Sequence, residues 1–256
     1  MPAAALVRKA LVRKALVRKA AKLQAVVRVP AYWRGLLHGV AAAVEHEGAA
    51  LDHAYRTVVD VGANRGQFLL VAAHRFPDAA LIAFEPLPGP RQVLQRALPR
   101  RRPVRLFEEA LSDRAGTATF HVSRADDSSS LLPISAAQVA TFPGTDEVAQ
   151  VLVRTARLDE VLAPEDLVAP VLLKIDAQGG ELAVLEGATS LLPRIDTLLV
   201  ECSFAELYEG QPTADAVVRF LYGHGFGLHS VGQVSRTPSS RPIQADLVFE
   251  RLAPPA

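Results

Sequence analysis

Short apolar segments alternate with helix-like segments from Arg56 onwards, and this alternation limits the folds that the chain can adopt. Three apolar runs, at residues 57–61, 80–84 and 171–175, have the length and composition of buried strands. Each run is followed by a turn and by a segment with helical character. Strands that alternate with helices in this way predict a parallel sheet with helices on both faces. We therefore predict an α/β fold.

The rest of the chain continues this pattern with less regular elements. Further strands are predicted at residues 104–111, 117–122, 151–157 and 197–200, and an antiparallel hairpin at residues 227–231 and 245–249 closes the sheet. Helices are predicted at residues 67–75, 91–97, 180–192 and 213–223, with Thr213 as the N-cap of the last, and another helix runs to about Gly48. Residues 123–150 are predicted to form a long loop, and such loops are often functional.

The first 34 residues differ sharply in charge from the rest of the chain. They contain nine Lys or Arg residues and no acidic residue, and residues 5–19 repeat Ala-Leu-Val-Arg-Lys three times. The remaining residues hold 19 basic and 27 acidic side chains, which gives no reason to expect nucleic-acid binding. We place a basic tail at residues 1–31 and one domain at residues 32–256. The tail is predicted to be a loosely docked helix, a contact for anionic membrane or an acidic partner, or a targeting peptide.

Composition also limits the compartment and the metal chemistry. No segment is predicted to span a membrane, since the longest uncharged apolar stretch near the start, residues 35–44, is too short. Cys202 is the single cysteine, which excludes an intrachain disulfide and a cysteine-based zinc site. We expect a cytoplasmic protein, with peripheral membrane contact through the tail as an alternative. No structural metal is predicted. A site in which carboxylate oxygens bind Mg²⁺ is kept as an alternative.

The most specific local pattern is residues 58–67, Val-Val-Asp-Val-Gly-Ala-Asn-Arg-Gly-Gln, in which a buried strand ends in a glycine turn that leads into a helix. Gly62 would let the backbone pass close to a ligand, and Gly66 would let the start of the helix pack against the strand. Glu85 ends the second strand, where its carboxylate can accept hydrogen bonds from both hydroxyls of a ribose. Together these residues predict a site for a cofactor that contains a nucleoside.

The turn favours S-adenosylmethionine over NAD as this cofactor. A dinucleotide site needs closely spaced glycines so that the backbone can approach the pyrophosphate, but Asn64 stands at the second of those positions. Asp60, at the mouth of the turn, would repel a pyrophosphate and would suit the amine of a methionine moiety. We therefore predict S-adenosyl-L-methionine as the cofactor.

Several motifs in the same order and spacing resemble the FkbM-type methyltransferases of the class I S-adenosylmethionine-dependent superfamily. The resemblance runs from about Val58 to Arg251. The motifs that carry it are Asp-Val-Gly-Ala-Asn-Arg-Gly-Gln at 60–67, Ala-Phe-Glu-Pro at 83–86, Ala-Leu-Ser-Asp at 110–113, Ser-Ser-Ser-Leu at 128–131, Leu-Asp-Glu at 158–160, Leu-Lys-Ile-Asp at 173–176, Glu-Leu at 181–182, Leu-Glu-Gly-Ala at 185–188 and Tyr-Glu-Gly-Gln-Pro at 208–212.

This resemblance implies a Rossmann-like class I methyltransferase fold, a seven-stranded, mostly parallel sheet whose last hairpin breaks the parallel order. It also implies adenine contacts at Ala110, Leu111 and Ser112, and a hydroxyl acceptor on a sugar, glycolipid or natural-product scaffold. The residues predicted to bind the cofactor are Asp60, Gly62, Ala63, Asn64, Gly66, Gln67, Glu85, Pro86, Ala110, Leu111 and Ser112. One position departs from the family pattern, because Gln178 stands where a glutamate is usual after Ile175-Asp176.

Methyl transfer to a hydroxyl requires alignment of the acceptor with the methyl group and a destination for the hydroxyl proton. Asp176 and Glu201 end predicted strands, so both should face the crevice beyond the carboxyl ends of the sheet, and we predict them as catalytic residues. His121 and His229 are weaker candidates for the base. The residues predicted to contact the acceptor are Ser128, Ser129, Ser130, Phe204 and Tyr208.

Two other hypotheses remain open on the sequence. The same strand, turn, helix and acidic residue also occur in NAD-linked oxidoreductases, although Asn64 and the closing hairpin speak against that activity. Alternatively, the altered turn after Asp176 is compatible with a catalytically silent methyltransferase-like module that docks through its basic tail. The acceptor and the oligomeric state are not determined by the sequence.

Overall fold

The computed structural model describes residues 29–48, 51–99, 101, 103–237 and 240–253. The strands are β1 (Thr57–Val61), β2 (Ala80–Phe84), β3 (Val104–Phe107), β4 (Ala110–Leu111), β5 (Gly116–Ser123), β6 (Glu147–Ala156), β7 (Val171–Ile175), β8 (Thr197–Ser203), β9 (Phe226–Arg236) and β10 (Pro242–Arg251). The α-helices are α1 (Pro30–Leu37), α2 (Gln67–Arg75), α3 (Pro88–Ala97), α4 (Ala136–Thr141), α5 (Leu158–Val161), α6 (Glu181–Glu186) and α7 (Ala214–Gly223). Most of the predicted basic tail, residues 1–28, lies outside the described residues.

A seven-stranded sheet in the order β3-β2-β1-β7-β8-β10-β9 forms the centre of the protein. The first five of these strands are parallel, and β10 runs antiparallel to both β8 and β9. The predicted mostly parallel sheet with a closing antiparallel hairpin is therefore confirmed. The chain moves outward from β1 to β3 on one side and from β7 onwards on the other, so the strand order reverses between β1 and β7. Ligands of open α/β sheets bind at this reversal, beyond the carboxyl ends of the strands.

The central strands read as apolar runs because both of their faces are covered. Adjacent side chains of a strand point to opposite faces, so Val59 and Leu173 enter one buried cluster while Val58 and Leu172 enter the other. All five residues of β1 and all five of β7 are buried. Burial of this kind stabilises the fold by roughly 25 cal/mol for each Å² of apolar surface removed from water. It also fixes the carboxyl ends of the two strands side by side.

A smaller sheet in the order β4-β6-β5 flanks the main one. β5 and β6, which contain two of the predicted strands, pair antiparallel, whereas the single strand predicted at residues 104–111 is wrong, because it divides between the two sheets. Glu108 and Glu109 lie at the break, where they make ion pairs with Arg91 (3.1 Å) and Arg154 (2.8 Å). Two charged residues that are held away from the main sheet end β3 and let the chain turn to the smaller sheet.

The segment ahead of β1 differs from the single helix predicted up to Gly48. It consists of α1 and a 3-10 helix over Val44–Gly48, and Gly39, at φ +74°, redirects the chain between them. The predicted long loop at residues 123–150 is also partly ordered, since it contains α4 and the start of β6. No helix within the described ranges is both long enough and apolar enough to cross a lipid bilayer.

Two element boundaries in the second half of the chain also differ from the prediction. The helix predicted at residues 180–192 ends with α6 at Glu186, and Gly187 is its C-cap, where a Cβ would lie 2.1 Å from the Ser112 carbonyl oxygen. β8 continues past Val200, so Glu201 lies within the strand and not at its end. Thr213 is the N-cap of α7, but its side chain makes no capping hydrogen bond to the helix backbone.

Candidate functional site

The turn after β1 brings the backbone of the chain unusually close to the end of β7. Gly62 has φ +73°, and a Cβ on it would lie 1.9 Å from the carbonyl oxygen of Asp176, so only glycine fits. The amides of Gly62 and Ala63 donate to the carbonyl oxygen of Phe84 at 3.1 and 3.0 Å, which attaches the turn to β2. Asn64 continues the turn with φ +45°. The turn therefore covers the point where the strand order reverses, and at Gly62 it does so with backbone atoms alone.

Glu85 joins the glycine turn to the end of β2. Its Oε2 accepts a hydrogen bond from the amide of Asn64 at 2.9 Å, and its Oε1 accepts one from the amide of Leu87 at 2.8 Å. Burial raises the pKa of Glu85 to about 7, although these two hydrogen bonds act in the opposite direction. A carboxylate has about four acceptor positions, so capacity remains for two further donors from a ligand.

A cleft of about 560 Å³ runs along the carboxyl ends of the strands. This volume lies in the range of small-molecule sites, roughly 300–1,000 Å³. At the β2 end, its walls include Phe84, Glu85, Pro86, Glu109, Ala110, Leu111, Phe120 and Ser129. In the middle lie Gly62, Ala63, Asn64, Gln67, Asp176 and Gln178. The opposite end, which we call the hairpin arm, is lined by Val40, His46, Phe68, Leu199, Gln233 and Asp246.

Most of the predicted cofactor residues lie along this cleft, but seven of the predicted site residues do not line it; three of them, Ser128, Ser130 and Tyr208, are described below. Asp60, Gly66, Ser112 and Phe204 are not among the lining residues. Gly66 supports the turn from behind, because α2 starts there against Leu94. The Ser112 hydroxyl donates to Asp113, and the Phe204 side chain is largely exposed elsewhere.

Asp60 lies beneath the cleft and is completely buried. Its Oδ1 lies 3.2 Å from the Nζ of Lys174, which also lies 3.3 Å from Oδ2 of Asp176. Burial raises the pKa of Asp60, and the ammonium of Lys174 partly offsets this effect. The predicted contact of Asp60 with a cofactor amine does not fit this position. The residue instead holds Lys174 under the end of β7.

Asp176 and Glu201, the two predicted catalytic residues, are joined by the side chain of Gln178. The Gln178 amide nitrogen donates to Oδ1 of Asp176 at 2.6 Å and to Oε2 of Glu201 at 2.9 Å. Gln244 donates to the same oxygen of Glu201 at 2.6 Å. Burial raises the pKa of Glu201 well above its ordinary value, and the nearby charge of Asp176 adds to the effect. Two amides thus hold two carboxyl groups together at the cleft wall.

The same glutamine also ties the predicted acceptor residues to the site. Tyr208 is fully buried, and its hydroxyl lies 2.6 Å from Oε1 of Gln178 and 3.0 Å from the carbonyl oxygen of Ser128. The hydroxyl of Ser130 donates to the backbone carbonyl of Gln178 at 2.7 Å. Of the three predicted serines only Ser129 lines the cleft, and its Oγ accepts from the amide of Ser123. Ser128, Ser130 and Tyr208 therefore support the wall from behind.

An ion pair crosses the cleft between the two sheets. Arg65, which follows the glycine turn, places Nη2 2.6 Å from Oδ2 of Asp126 in the 3-10 turn after β5. Both side chains line the cleft and are partly exposed, at 43% and 26%. We call this pair the latch, because it joins the turn after β1 of the main sheet to the turn after β5 of the smaller sheet.

The histidine that lines the cleft is neither of the two histidines that the sequence analysis named as candidate bases. His121 pairs with Glu147 at 2.7 Å on the smaller sheet, and His229 lies 3.4 Å from Glu250 on the far hairpin; neither lines the cleft. His46 and Asp246 do line it, with 3.7 Å between Nδ1 and Oδ2. The only sequence indication was an acidic residue inside the apolar strand β10, since the two residues are far apart in the chain.

Electrostatics of the cleft favour a cationic ligand over a phosphorylated one. In the described part of the chain its lining holds eight carboxyl groups but three Lys or Arg side chains, of which Lys174 is paired with Asp60, Arg65 with Asp126 and Arg124 with Asp146. A sulfonium and an ammonium suit this surface, whereas a pyrophosphate would be repelled. No group of three or more His, Cys, Asp or Glu residues in the described ranges is arranged to hold a metal ion.

Comparison with known proteins yields both sequence and structural matches. The profile of the methyltransferase FkbM domain matches residues 60–228. The 2-O-methyltransferase NoeI of Sinorhizobium fredii (strain NBRC 101917 / NGR234) is 30% identical over 174 residues, which cover 64% of this chain and 70% of that protein. The 31-O-demethyl-FK506 methyltransferase FkbM of Streptomyces tacrolimicus is 33% identical over 194 residues, which cover 66% of this chain and 72% of that protein.

A solved structure shows the same fold. The crystal structure of methyltransferase FkbM from Methylobacillus flagellatus KT superposes with a TM-score of 0.52 at 15% identity. The superposition covers 83% of this chain but 49% of that protein, so the present chain corresponds to about half of its length. His46 and Asp246 both lie outside the residues that match the FkbM domain profile.

Proposed function

The chain belongs to the FkbM methyltransferase family, and on this premise we propose that it transfers the methyl group of S-adenosylmethionine to a hydroxyl oxygen. The observation that carries the proposal is the acidic cleft beneath the Gly62 turn, with Glu85 at its β2 end. Gly62 allows close approach to the backbone, Glu85 has acceptor capacity for ribose hydroxyls, and the excess of carboxyl groups suits a cationic cofactor.

The acceptor that we propose is a hydroxyl group on a glycan or another small molecule, such as a natural-product scaffold. Two relatives are named for transfer of this kind, a 2-O-methyltransferase and a methyltransferase of 31-O-demethyl-FK506. The cleft supports an uncharged or cationic acceptor, because a phosphate or carboxylate would meet the same repulsion as a pyrophosphate.

The roles of individual residues follow from their places along the cleft. Glu85 would hold the ribose, with Ala110 and Leu111 against the adenine, and the backbone from Gly62 to Asn64 would lie along the rest of the cofactor. S-adenosylmethionine, when bound, supplies an activated methyl group, so the protein mainly orients the acceptor and excludes water. Asp176, fixed by Lys174 and Gln178, is positioned to orient an acceptor hydroxyl.

Calorimetric titration of the full chain with S-adenosylmethionine and, separately, with NAD⁺ tests the cofactor. We expect saturable binding of S-adenosylmethionine alone. Binding of NAD⁺ alone would replace the proposal by an oxidoreductase activity, and binding of neither would support a catalytically silent module. A screen with methyl-labelled cofactor against neutral sugars, glycolipids and polyhydroxylated natural products then tests the acceptor. Label in an ether that resists base hydrolysis would identify transfer to a hydroxyl oxygen.

A further inference from the structure

The hairpin arm continues the cleft past the two predicted catalytic carboxylates. The cleft follows the sheet order along one edge of the sheet, so Glu85, which follows β2, and Asp246, in the first half of the antiparallel β10, lie on opposite sides of the reversal between β1 and β7. If the nucleoside lies over β2, the hairpin arm is the part of the cleft left for the acceptor. Its walls include apolar side chains, Val40, Phe68 and Leu199, besides its polar groups.

A histidine and a carboxyl group face each other in this arm. His46 Nδ1 lies 3.7 Å from Asp246 Oδ2, and both side chains are about 15% exposed, at 15% and 14%. The ring of His46 meets the ring of Phe68 edge to face, with 5.5 Å between centroids. Arg75 of α2 donates to the His46 carbonyl oxygen. The imidazole is thus held between α2 and β10 while it lines the cleft.

Charged groups from several elements lie around His46. Asp246 and Glu201 sit opposite each other on β10 and β8, and Glu45 precedes the histidine in its own 3-10 helix. Lys174 of β7 lies over the Phe68 ring, 6.0 Å from its centroid, and Arg75 contacts the segment from α2. Carboxyl groups therefore predominate around the ring, and their oxygens are acceptors for a ring N–H.

We propose that His46 accepts the proton of the acceptor hydroxyl and that Asp246 orients its ring; this proposal rests on the proposed methyl transfer. The hydroxyl oxygen forms a bond to the methyl carbon as the carbon–sulfur bond breaks. The electron pair of the broken bond remains on sulfur, which becomes the thioether of S-adenosylhomocysteine. The hydroxyl proton passes to a ring nitrogen of His46 and then to water.

The arrangement explains why the proton does not have to go to the two predicted carboxylates. Asp176 is engaged by Lys174 and Gln178, and Oε2 of Glu201 accepts from two side-chain amides. The His46–Asp246 distance is longer than a hydrogen bond, as is common for catalytic contacts without substrate, and we expect it to shorten when the acceptor fills the arm. Asp246 is a positioning residue in this scheme, and His46 is catalytic.

Chemical labelling of the histidines tests the placement without an acceptor. The full chain is treated with diethyl pyrocarbonate, free and saturated with S-adenosylhomocysteine or 5′-methylthioadenosine, and labelled peptides are quantified by mass spectrometry. We expect His46 to be labelled to the same extent in all three states, as the exposed His53 is. Protection by S-adenosylhomocysteine but not by 5′-methylthioadenosine would place the amino-acid end of the cofactor in the arm and would overturn the proposal. An unlabelled His46 in the free chain would also contradict it.

Kinetics of His46→Gln and Asp246→Asn, with His38→Gln as the control, complete the test. His38 is exposed on the same N-terminal segment. We expect His46→Gln to lower kcat by about 10²–10⁴-fold with the acceptor from the screen, the usual contribution of a general base. Asp246→Asn should lower kcat less and shift the acid limb of the pH–rate profile, while S-adenosylhomocysteine affinity stays within threefold of wild type in both variants. If the wild type is active and His46→Gln keeps kcat within threefold of it, the role of His46 is refuted but the proposed function is not. If the wild type does not bind S-adenosylmethionine, the proposed function is refuted.

Discussion

At the scale of single residues, the site depends on carboxyl groups whose charge is only partly developed near neutral pH. Glu85 is the clearest of them, because burial raises its pKa to about 7 while two backbone amides hold it in place. Ribose hydroxyls that donate to this group favour its carboxylate form. If the cofactor binds as proposed, its binding is linked to loss of a proton from Glu85.

We expect S-adenosylmethionine affinity to rise as pH increases from 6 to 8. Below a pKa of about 7 the free protein carries protonated Glu85, so binding must release that proton, and affinity falls by up to about tenfold for each pH unit below it. Glu85→Gln should bind more weakly and lose most of this dependence, whereas the exposed Glu165→Gln should behave as wild type. Calorimetry at several pH values checks this. A pH dependence that persists in Glu85→Gln would assign the proton to another cleft group, such as Asp246, whose pKa burial also raises to about 7.

Gln178 is the second residue on which the site depends, because its amide bridges two carboxyl groups. Gln178→Glu keeps the shape but removes both donated hydrogen bonds and adds a third carboxyl group beside Asp176 and Glu201. We expect the free energy of unfolding to fall by about 1–3 kcal/mol at pH 8, since two partly buried carboxyl groups lose a donor. The loss should be smaller at pH 5, where protonation relieves the repulsion.

Gln150→Glu is the matched control for this substitution. Gln150 also donates to a carboxylate, Glu147, but at an exposed site. Its replacement should change stability by no more than about 0.5 kcal/mol, the usual range for surface substitutions. Urea denaturation of both variants at pH 5 and pH 8 provides the measurement. Equal effects of the two substitutions would contradict the bridging role of Gln178.

At the scale of elements, the position of each strand end decides what the site can contain. The glycine turn after β1 illustrates this, because the backbone of Gly62 fills the space next to the end of β7. A side chain there would push apart two strands that are fully buried. The turn is therefore a structural requirement of the sheet as well as a wall of the cleft.

Gly62→Ala should consequently be far more disruptive than Gly89→Ala. The first places a Cβ 1.9 Å from a backbone oxygen at φ +73°, whereas nothing lies within 4 Å of a Cβ at Gly89 in α3. We expect Gly62→Ala to lower stability by more than about 3 kcal/mol, and Gly89→Ala, at an exposed position of the first helical turn, to change it by no more than about 0.5 kcal/mol. Thermal unfolding of both variants checks the contrast. A stable Gly62→Ala variant would show that β1 and β7 can separate.

Elements with a strong local pattern could be predicted from sequence, and those that depend on distant contacts could not. β1, β2 and β7 were predicted with the bounds that the structure gives them, because each is a continuous apolar run between turns. The division between β3 and β4 depends on pairing with two different sheets, which no local pattern encodes. In the site, the glycine turn and Glu85 were recognisable as a motif. The pairing of His46 with Asp246 was not, because two hundred residues separate them.

At the scale of the whole molecule, the described domain and the basic first residues have opposite charge. Nine Lys or Arg residues without an acidic one precede a body of formal charge −8. We propose that this segment contacts anionic membrane, since each basic residue near such a surface contributes about 1 kcal/mol. The cleft is built from residues after position 38, so the two functions can be separated.

Removal of residues 1–28 should therefore abolish binding to vesicles that contain phosphatidylserine and leave S-adenosylmethionine affinity unchanged. Cosedimentation with anionic vesicles, and with neutral phosphatidylcholine vesicles as the control, measures the first effect, and calorimetry measures the second. If the full-length protein cosediments with neither kind of vesicle, the proposed membrane contact is refuted. Loss of cofactor affinity in the truncated chain would show that residues 1–28 also contribute to cofactor binding.

The latch between Arg65 and Asp126 has a consequence for the rate at which the cofactor enters and leaves. It spans two sheets and is partly exposed, so dissolved ions can weaken it. We expect the dissociation rate of S-adenosylhomocysteine, measured by stopped-flow displacement, to rise severalfold between 0.05 and 1 M NaCl, as the screening length falls to about 3 Å. Arg65→Ala should release the ligand quickly at every salt concentration. A protein held this way would exchange its spent cofactor at a pace set by the ionic strength around it.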